Sequence, residues 1–473
     1  MQLARDLEEG VRSGRLQPGE ALPGSRSLAK MLRVHRNTVL AGYNELIAKG
    51  WVVTIPGGGT FIASTLSTVA RRPPGAQRPS DGRMGFDFSA TPLGIHGEPD
   101  YPRGTLVLTR AVPDFRLLPV PALARVYRQA LRKDGGRLLS YGDPRGERRL
   151  RVALAEMVSA TRAIRAEADD VLITRGSLMG LHLAARALFS PGDTVAVEAL
   201  GNRNAWAAFR LAGAKLVPVP VDKGGIRVDV LESLLRKRRL RALYVTPHHQ
   251  FPTTVNLDAT RRLRLLELAG RHRVIVLEDD YDHEFHYDTP PVLPLASADS
   301  AGVVLYFGTL SKVLAPGLRM GFAIKPRPVL ARMAELRATM DIQSDRVLDT
   351  AVAMLMEEGD LPRHIRKMRR LYHRRRDAFT ASLERHLVGA LSFVTPAGGM
   401  ALWAEVARDV PLDAWASRAL EQGVAFAGAQ EFAFDGQPVR GMRLGFSRHS
   451  EAELEEAARR MAAALRGVQR SRT

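Results

Sequence analysis

Apolar residues recur at helical spacing from the first positions of the chain. Leu3, Leu7, Val11 and Leu16 predict a first helix, closed by Gly14 and Pro18-Gly19. Ser25-Arg26-Ser27 opens a second helix, with Ser25 as its N-cap and Leu28 and Leu32 on its inner face. Asn37-Thr38 opens a third, in which Val39, Tyr43 and Leu46 keep the i, i+4, i+7 pattern until Gly50. The period then changes. Two short extended runs, 51–54 and 60–62, flank Pro56-Gly57-Gly58-Gly59, which predicts a hairpin. Three helices and a hairpin over residues 1–63 describe a winged helix-turn-helix. Periodicity fades over 64–105, where Arg71-Arg72-Pro73-Pro74-Gly75 has the composition of a linker.

From 106 to 473 apolar strand patterns alternate with helical ones. The runs at 171–174, 194–197 and 242–245 are followed by helical patterns at 178–188, 204–211 and 263–269. That alternation predicts the α/β class: a mostly parallel sheet with flanking helices and a smaller C-terminal α+β part.

A chain of 473 residues, 45% hydrophobic and 25% charged, should form two or three globular domains. The formal net charge of +19 favours a polyanionic partner, and nucleic acid is the natural one. An arginine-biased composition is the plainer account: lysine occurs only at 30, 49, 133, 215, 223, 237, 312, 325 and 367. Cysteine is absent, which excludes disulfides, thiolate zinc sites and cysteine nucleophiles, and no metal is expected. The first residues lack the apolar core of a signal peptide, and no apolar run approaches the ~18 residues of a spanning helix. A cytoplasmic protein without a membrane partner is expected.

Arg26, Arg33, Arg36, Asn37 and Thr38 fall at the starts or exposed faces of the second and third helices. Arginine and asparagine read base edges; threonine and helix N-termini bind phosphate. Ser25 joins this group at its helix start. Gly58, amid three glycines, lets a wing backbone approach a duplex closely. A double-stranded DNA operator is therefore the expected partner, with a helical dimerisation module as the structural alternative.

The run 274–277 ends in Glu278-Asp279-Asp280-Tyr281, and the run 303–307 in Gly308-Thr309-Leu310-Ser311-Lys312. On parallel sheets, ligands sit beyond the carboxyl ends of strands, where Asp279, Lys312 and Ser177 fall. Pyridoxal 5'-phosphate (PLP) requires a lysine amine for its aldehyde, a carboxylate on its ring nitrogen, a phenol near its ring oxygen, and cations and hydroxyls on its phosphate. Lys312, Asp279 and Tyr281 match the first three. Arg319, Ser177, Thr309 and Ser311 are candidates for the phosphate. The acid and the amine lie 33 residues apart, the length of one βαβ unit or one adjacent-strand step. The arginine-dense stretch 363–376 reads as a solvated helix face with structural ion pairs, and contact with DNA is the alternative.

Residues 1–63 resemble the winged-helix domain of the GntR family. The match runs through Leu22-Pro23-Gly24-Ser25-Arg26-Ser27-Leu28-Ala29, His35-Arg36-Asn37-Thr38-Val39 and Gly57-Gly58-Gly59-Thr60-Phe61. Residues 106–473 resemble fold-type I aminotransferases as carried by MocR-type regulators. Here the matching stretches include Tyr141-Gly142-Asp143-Pro144-Arg145-Gly146, the segment Thr246 to Thr253, Glu278 to Tyr287, Ser311-Lys312, Pro316 to Gly321 and Met442 to Phe446. The resemblance implies that Lys312 bonds the cofactor, that Asp279 and Tyr281 hold its ring, and that Arg319 binds its phosphate. It further implies that Tyr141 reaches the partner subunit's phosphate in a homodimer and that Arg443 grips an effector's carboxylate. Three positions depart from the pattern: Asn202 stands where an aromatic stacks on the ring, Leu178 follows Ser177 where a polar residue is usual, and Thr254 replaces a glycine. The expected function is a PLP-dependent transcriptional regulator that senses a small amino compound. An active aminotransferase with an accessory DNA-binding head, and a PLP-free dimeric repressor, are the alternatives.

Overall fold

The computed structural model describes residues 2–68, 99–288, 290, 292–434, 436 and 439–470. The chain divides into two compact units, Met1–Pro92 and Leu93–Thr473. The linker motif Arg71-Arg72-Pro73-Pro74-Gly75 lies outside the described residues.

In the first unit, α1 (Gln2–Arg12), β1 (Ala21–Leu22), α2 (Ser25–Leu32), α3 (Arg36–Ala48), β2 (Val52–Ile55) and β3 (Gly59–Ile62) follow in order. The strands form one small antiparallel sheet, β1-β3-β2. Its core is Leu28, Val39, Tyr43, Leu46, Val52 and Ile62, and the Tyr43 hydroxyl donates to the Pro23 carbonyl at 2.6 Å, which ties α3 to the turn before α2. Leu16, expected within the first helix, lies past its end at Arg12 and packs on the core from the following turn. The expected N-cap also moves. Gly24, not Ser25, precedes the first helical residue, and the Ser25 hydroxyl instead accepts from Arg36 Nε at 3.3 Å. Gly57 and Gly59 take φ of +75° and +112°, conformations that a β-carbon resists, so the wing's tight turn needs glycine.

The second unit is built on a seven-stranded sheet: β4 (Val171–Thr174), β5 (Thr194–Glu198), β6 (Lys215–Val219), β7 (Ala242–Val245), β8 (Ile275–Asp280), β9 (Val304–Thr309) and β10 (Gly321–Ile324), in the order β4-β10-β9-β8-β7-β5-β6. Only β10 runs antiparallel to its neighbours. β4, β7, β9 and β10 are buried along their whole length, as continuous apolar runs in a covered sheet must be. A smaller antiparallel sheet, β11 (Leu391–Phe393), β12 (Ala401–Val406) and β13 (Gly441–Gly445), packs with helices near the C-terminus.

The arginine-dense stretch lies in the helix Asp360–His386. Its expected solvated character holds only in part. Arg375 and Arg376 are each 4% exposed, and their guanidinium groups bond Asp114 and Asp288. Helical periodicity turns these two toward the core while their neighbours face out.

Candidate cofactor and DNA-binding sites

The carboxyl ends of β4, β8 and β9 carry the candidate cofactor residues. Asp279 and Phe307 are register partners on adjacent parallel strands, and Lys312 follows three residues after β9 ends at Thr309. The Lys312 ammonium donates to the Ala111 carbonyl at 2.7 Å. Burial lowers its pKa to about 8, and the nearby Arg443 guanidinium acts in the same direction.

Asp279 is buried at 4% exposure. Its Oδ2 accepts from the Tyr244 hydroxyl at 2.9 Å, whereas its Oδ1 is buried with no hydrogen-bond partner among the described residues. Burial raises its pKa to about 6, against the opposing Tyr244 hydrogen bond. A bare carboxylate oxygen at such depth costs energy unless a cation or N–H meets it. A protonated ring nitrogen would be such a group.

The Tyr281 hydroxyl donates to the His249 carbonyl at 2.7 Å, and burial raises its pKa. Arg443, on β13, is 5% exposed; its guanidinium carbon lies 5.0 Å from the centre of the Phe251 ring, and its Nε has no partner among the described residues.

A cradle forms where β4 turns into the helix Gly176–Leu188. Gly176 has φ +77°, and a β-carbon there would stand 2.9 Å from Arg319 Nη2. One on Gly321 would stand 2.7 Å from the Gly176 carbonyl carbon and 2.9 Å from the Ser177 nitrogen. The two glycines let the helix start, with its free N–H groups, lie directly against Arg319, whose Nη2 donates to the Arg175 carbonyl at 3.0 Å. Helix start and guanidinium together suit a phosphate. Thr309 Oγ1 donates to the Met320 carbonyl at 3.1 Å and accepts from the Ser311 N–H at 3.1 Å, so it braces the loop that carries Lys312. Tyr141 is 79% exposed.

The three departures have separate structural accounts. Asn202 caps the helix Arg203–Leu211, its side chain accepting from the Asn204 N–H at 3.0 Å. Thr254 takes φ +62°, a region that favours glycine, and its N–H donates to the Gln250 carbonyl at 2.6 Å. Leu178 is 37% exposed.

Sequence reasoning missed Tyr244, Ala111, Phe251, Gly176 and Gly321. Tyr244 carried a signal: a phenol inside an otherwise apolar buried strand needs a polar partner. The carbonyl of Ala111 carries none, because any residue could supply it.

In the first unit, α3 begins at Arg36, one residue before the expected start, and the His35 side chain caps it by accepting from the Asn37 N–H at 3.2 Å. Arg26, Arg33, Arg36, Asn37 and Thr38 are all exposed, Ser25 is half-buried, and Gly58 is exposed at the tip of the wing. Arg33 ends α2 in the left-handed conformation, φ 54°.

Comparison with known proteins agrees with this two-part reading. Residues 1–62 match the family of bacterial regulatory proteins, gntR family, and residues 105–461 match aminotransferase class I and II. The chain is 32% identical over 94% of its length to a probable rhizopine catabolism regulatory protein MocR of Rhizobium meliloti, covering 89% of that protein. It is 28% identical over 96% of its length to the pyridoxine biosynthesis transcriptional regulator PdxR of Corynebacterium glutamicum, covering 93% of it. Among solved structures, the α-aminoadipate aminotransferase LysN of Thermus thermophilus, complexed with N-(5'-phosphopyridoxyl)-L-leucine, aligns with a TM-score of 0.72 at 30% identity, over 78% of this chain and 94% of that one. A winged helix followed by a fold-type I aminotransferase body defines a DNA-binding transcriptional regulator with an aminotransferase-like domain. The chain belongs to the MocR-type regulators, in which a gntR-family head precedes an aminotransferase class I and II body. No helix among the described residues is long and apolar enough to cross a membrane.

Proposed function

We propose that the body holds PLP at Lys312, that it senses an amino compound bearing a carboxylate, and that the sensed state changes how two heads of a homodimer hold an operator. One observation carries the reading: the unpartnered, buried Asp279 Oδ1 lies on the strand beside the one that leads to Lys312. When bound, the cofactor supplies an aldehyde that amines join reversibly and a ring that withdraws electrons. Lys312 provides the amine. Asp279 Oδ1 meets the ring nitrogen and keeps its proton in place. Arg319 and the helix start at Gly176-Ser177 meet the phosphate, and Tyr281 faces the ring oxygen. The Arg443 fork, with Nε free, meets an effector's carboxylate. Tyr141, exposed on one chain, serves the partner's phosphate. The effector biases the equilibrium through contacts it makes in one arrangement and not the other.

The test is to add PLP, reduce with borohydride and map the modified peptide. Cofactor mass on the peptide containing Lys312 supports the reading; no modified peptide removes it in favour of a PLP-free repressor. The kinetics add a second check. Only the unprotonated amine attacks an aldehyde, and the Lys312 pKa of about 8 lies below the ordinary 10.5. Capture should accelerate as pH rises and level off just above 8, not above 10.5. A rate still climbing steeply toward 10.5 would mean that burial does not lower the amine's pKa as described, while the mapped peptide decides which lysine it is.

The likeness to LysN favours a second reading, a body that turns over as an aminotransferase. Production of a keto acid from an amino donor, at rates abolished by borohydride, would establish it.

For the head, Arg36→Ala should weaken operator binding by ~1–3 kcal/mol without altering PLP uptake. Anisotropy titrations on operator and on random duplex decide its role. An equal loss on both would make Arg36 a phosphate contact.

A further inference from the structure

The net charge of +19 follows chain length and is not gathered on the head. Residues 1–68 hold eight basic and five acidic residues, and residues 69–105 hold five and four. Residues 106–473 hold 56 and 41, an excess of +15. The head is the DNA-binding unit of the family, yet the body carries most of the positive charge.

Part of that charge is concentrated on one helix. Between Asp360 and Asp377 the helix Asp360–His386 has eight lysines and arginines and no acid. Arg375 and Arg376 turn inward to Asp114 and Asp288. Arg363, Arg366, Lys367, Arg370 and Arg374 all face out. Arg363, Arg366, Arg370 and Arg374 follow at steps of three or four residues, and Lys367 lies four after Arg363, which places all five along one side of the helix. Arg363 pairs with Asp360, and Arg374 stands 3.4 Å from Glu451. Arg366, Lys367 and Arg370 have no carboxylate within ion-pair distance among the described residues.

A cavity of about 290 Å³ opens beside them, lined by His286, Tyr287, Arg369, Arg370 and His373. Arg369 Nη1 lies 2.8 Å from His286 Nε2, a nitrogen and not a carboxylate. Asp288 and Asp377, beside the cavity, already pair with Arg376 and lie 3.4 Å from His373. The surface is a row of five cations beside a polar cleft, of which the central three are uncompensated and the outer two, Arg363 and Arg374, are ion-paired. From Arg363 to Arg374 it runs ~16 Å at ~1.5 Å per residue. That length matches about five phosphates of one DNA strand at ~3.4 Å each.

We propose that this outer face of the helix Asp360–His386 contacts the phosphate backbone of duplex DNA, so that the body adds sequence-independent affinity to the head's readout. The proposal rests on the chain being a DNA-binding regulator and not on the cofactor.

The test uses the full chain, loaded with PLP, titrated against a long random-sequence duplex at several chloride concentrations. Each phosphate contact contributes ~0.9 to the slope of log affinity against log salt. The triple variant R366A/K367A/R370A should lower the slope by about 2–3 and weaken binding at every salt concentration. The control R236A/K237A/R239A removes the same net charge from another exposed part of the body and should leave the slope unchanged. The charge-keeping R366K/R370K should retain the original slope. The proposal falls if the first variant leaves the slope unaltered, or if the control lowers it equally, because the effect would then be one of total charge. It falls also if exchanging chloride for inorganic phosphate at matched ionic strength shows a small-anion site that the triple variant removes while the DNA slope stands. Unchanged cofactor loading in all three variants separates this outcome from any failure at Lys312.

Discussion

Lys312→Ala is expected to eliminate borohydride-stable attachment of PLP altogether. No other lysine is placed to substitute. The chain has nine, and Lys312 alone follows the carboxyl end of the strand beside Asp279. Arginine cannot take over, since its guanidinium stays protonated. The variant should still fold, because the hydrogen bond it loses, to the Ala111 carbonyl, is one contact in a large buried core. It should also retain weak, reversible binding of PLP through Arg319 and Asp279, visible as fluorescence quenching that dialysis reverses. Basal DNA binding should persist, as the head's core contains no residue of the body. Covalent label persisting on any other peptide would overturn the assignment.

Arg375→Ala is expected to destabilise the body by roughly 3 kcal/mol. Arg375 Nη2 and Asp114 Oδ2 lie 2.9 Å apart, both almost wholly buried. Removing the guanidinium leaves a buried carboxylate with a single ionic partner, the half-exposed Arg116. That remaining partner is why the figure sits at the low end of what breaking a buried pair costs. Urea unfolding followed by body fluorescence would measure it. The double replacement D114N/R375M, which removes both charges, should recover part of the loss. A loss below ~1 kcal/mol for Arg375→Ala would mean that the pair behaves as a surface bridge.

The two variants also mark what the sequence does and does not disclose. The placement of Asp279, Tyr281 and Lys312 at or just beyond strand ends is legible because each follows an apolar run, and strand ends are where a parallel sheet presents its chemistry. The winged helix is legible for a similar reason, since Val39, Tyr43 and Leu46 keep a strict period and the wing announces itself by three glycines. Arg375 was not legible. It stands in a stretch of like charges, and only the phase of the helix against the rest of the core separates it from Arg374. The partner that decides its burial, Asp114, lies 261 residues away. Ser25 was misjudged as a cap because serine and glycine both serve there, and only the backbone angles of Gly24 distinguish them. The unpartnered Asp279 Oδ1 and the Gly176–Gly321 approach depend on three-dimensional contacts that no local pattern encodes.

The reversed direction of β10 has a consequence for how such a protein diverges. Thr309 and Gly321 are register partners, so residues 310–320 form one loop pinned at both ends to adjacent strands. Lys312 and Arg319 both ride on it. Lys312 stands three residues from one pin and Arg319 two from the other. A residue inserted between them can be taken up mid-loop, whereas one inserted beside either pin displaces the group next to it. Relatives that vary in loop length and keep both contacts should therefore vary between the two residues and not at the strand ends.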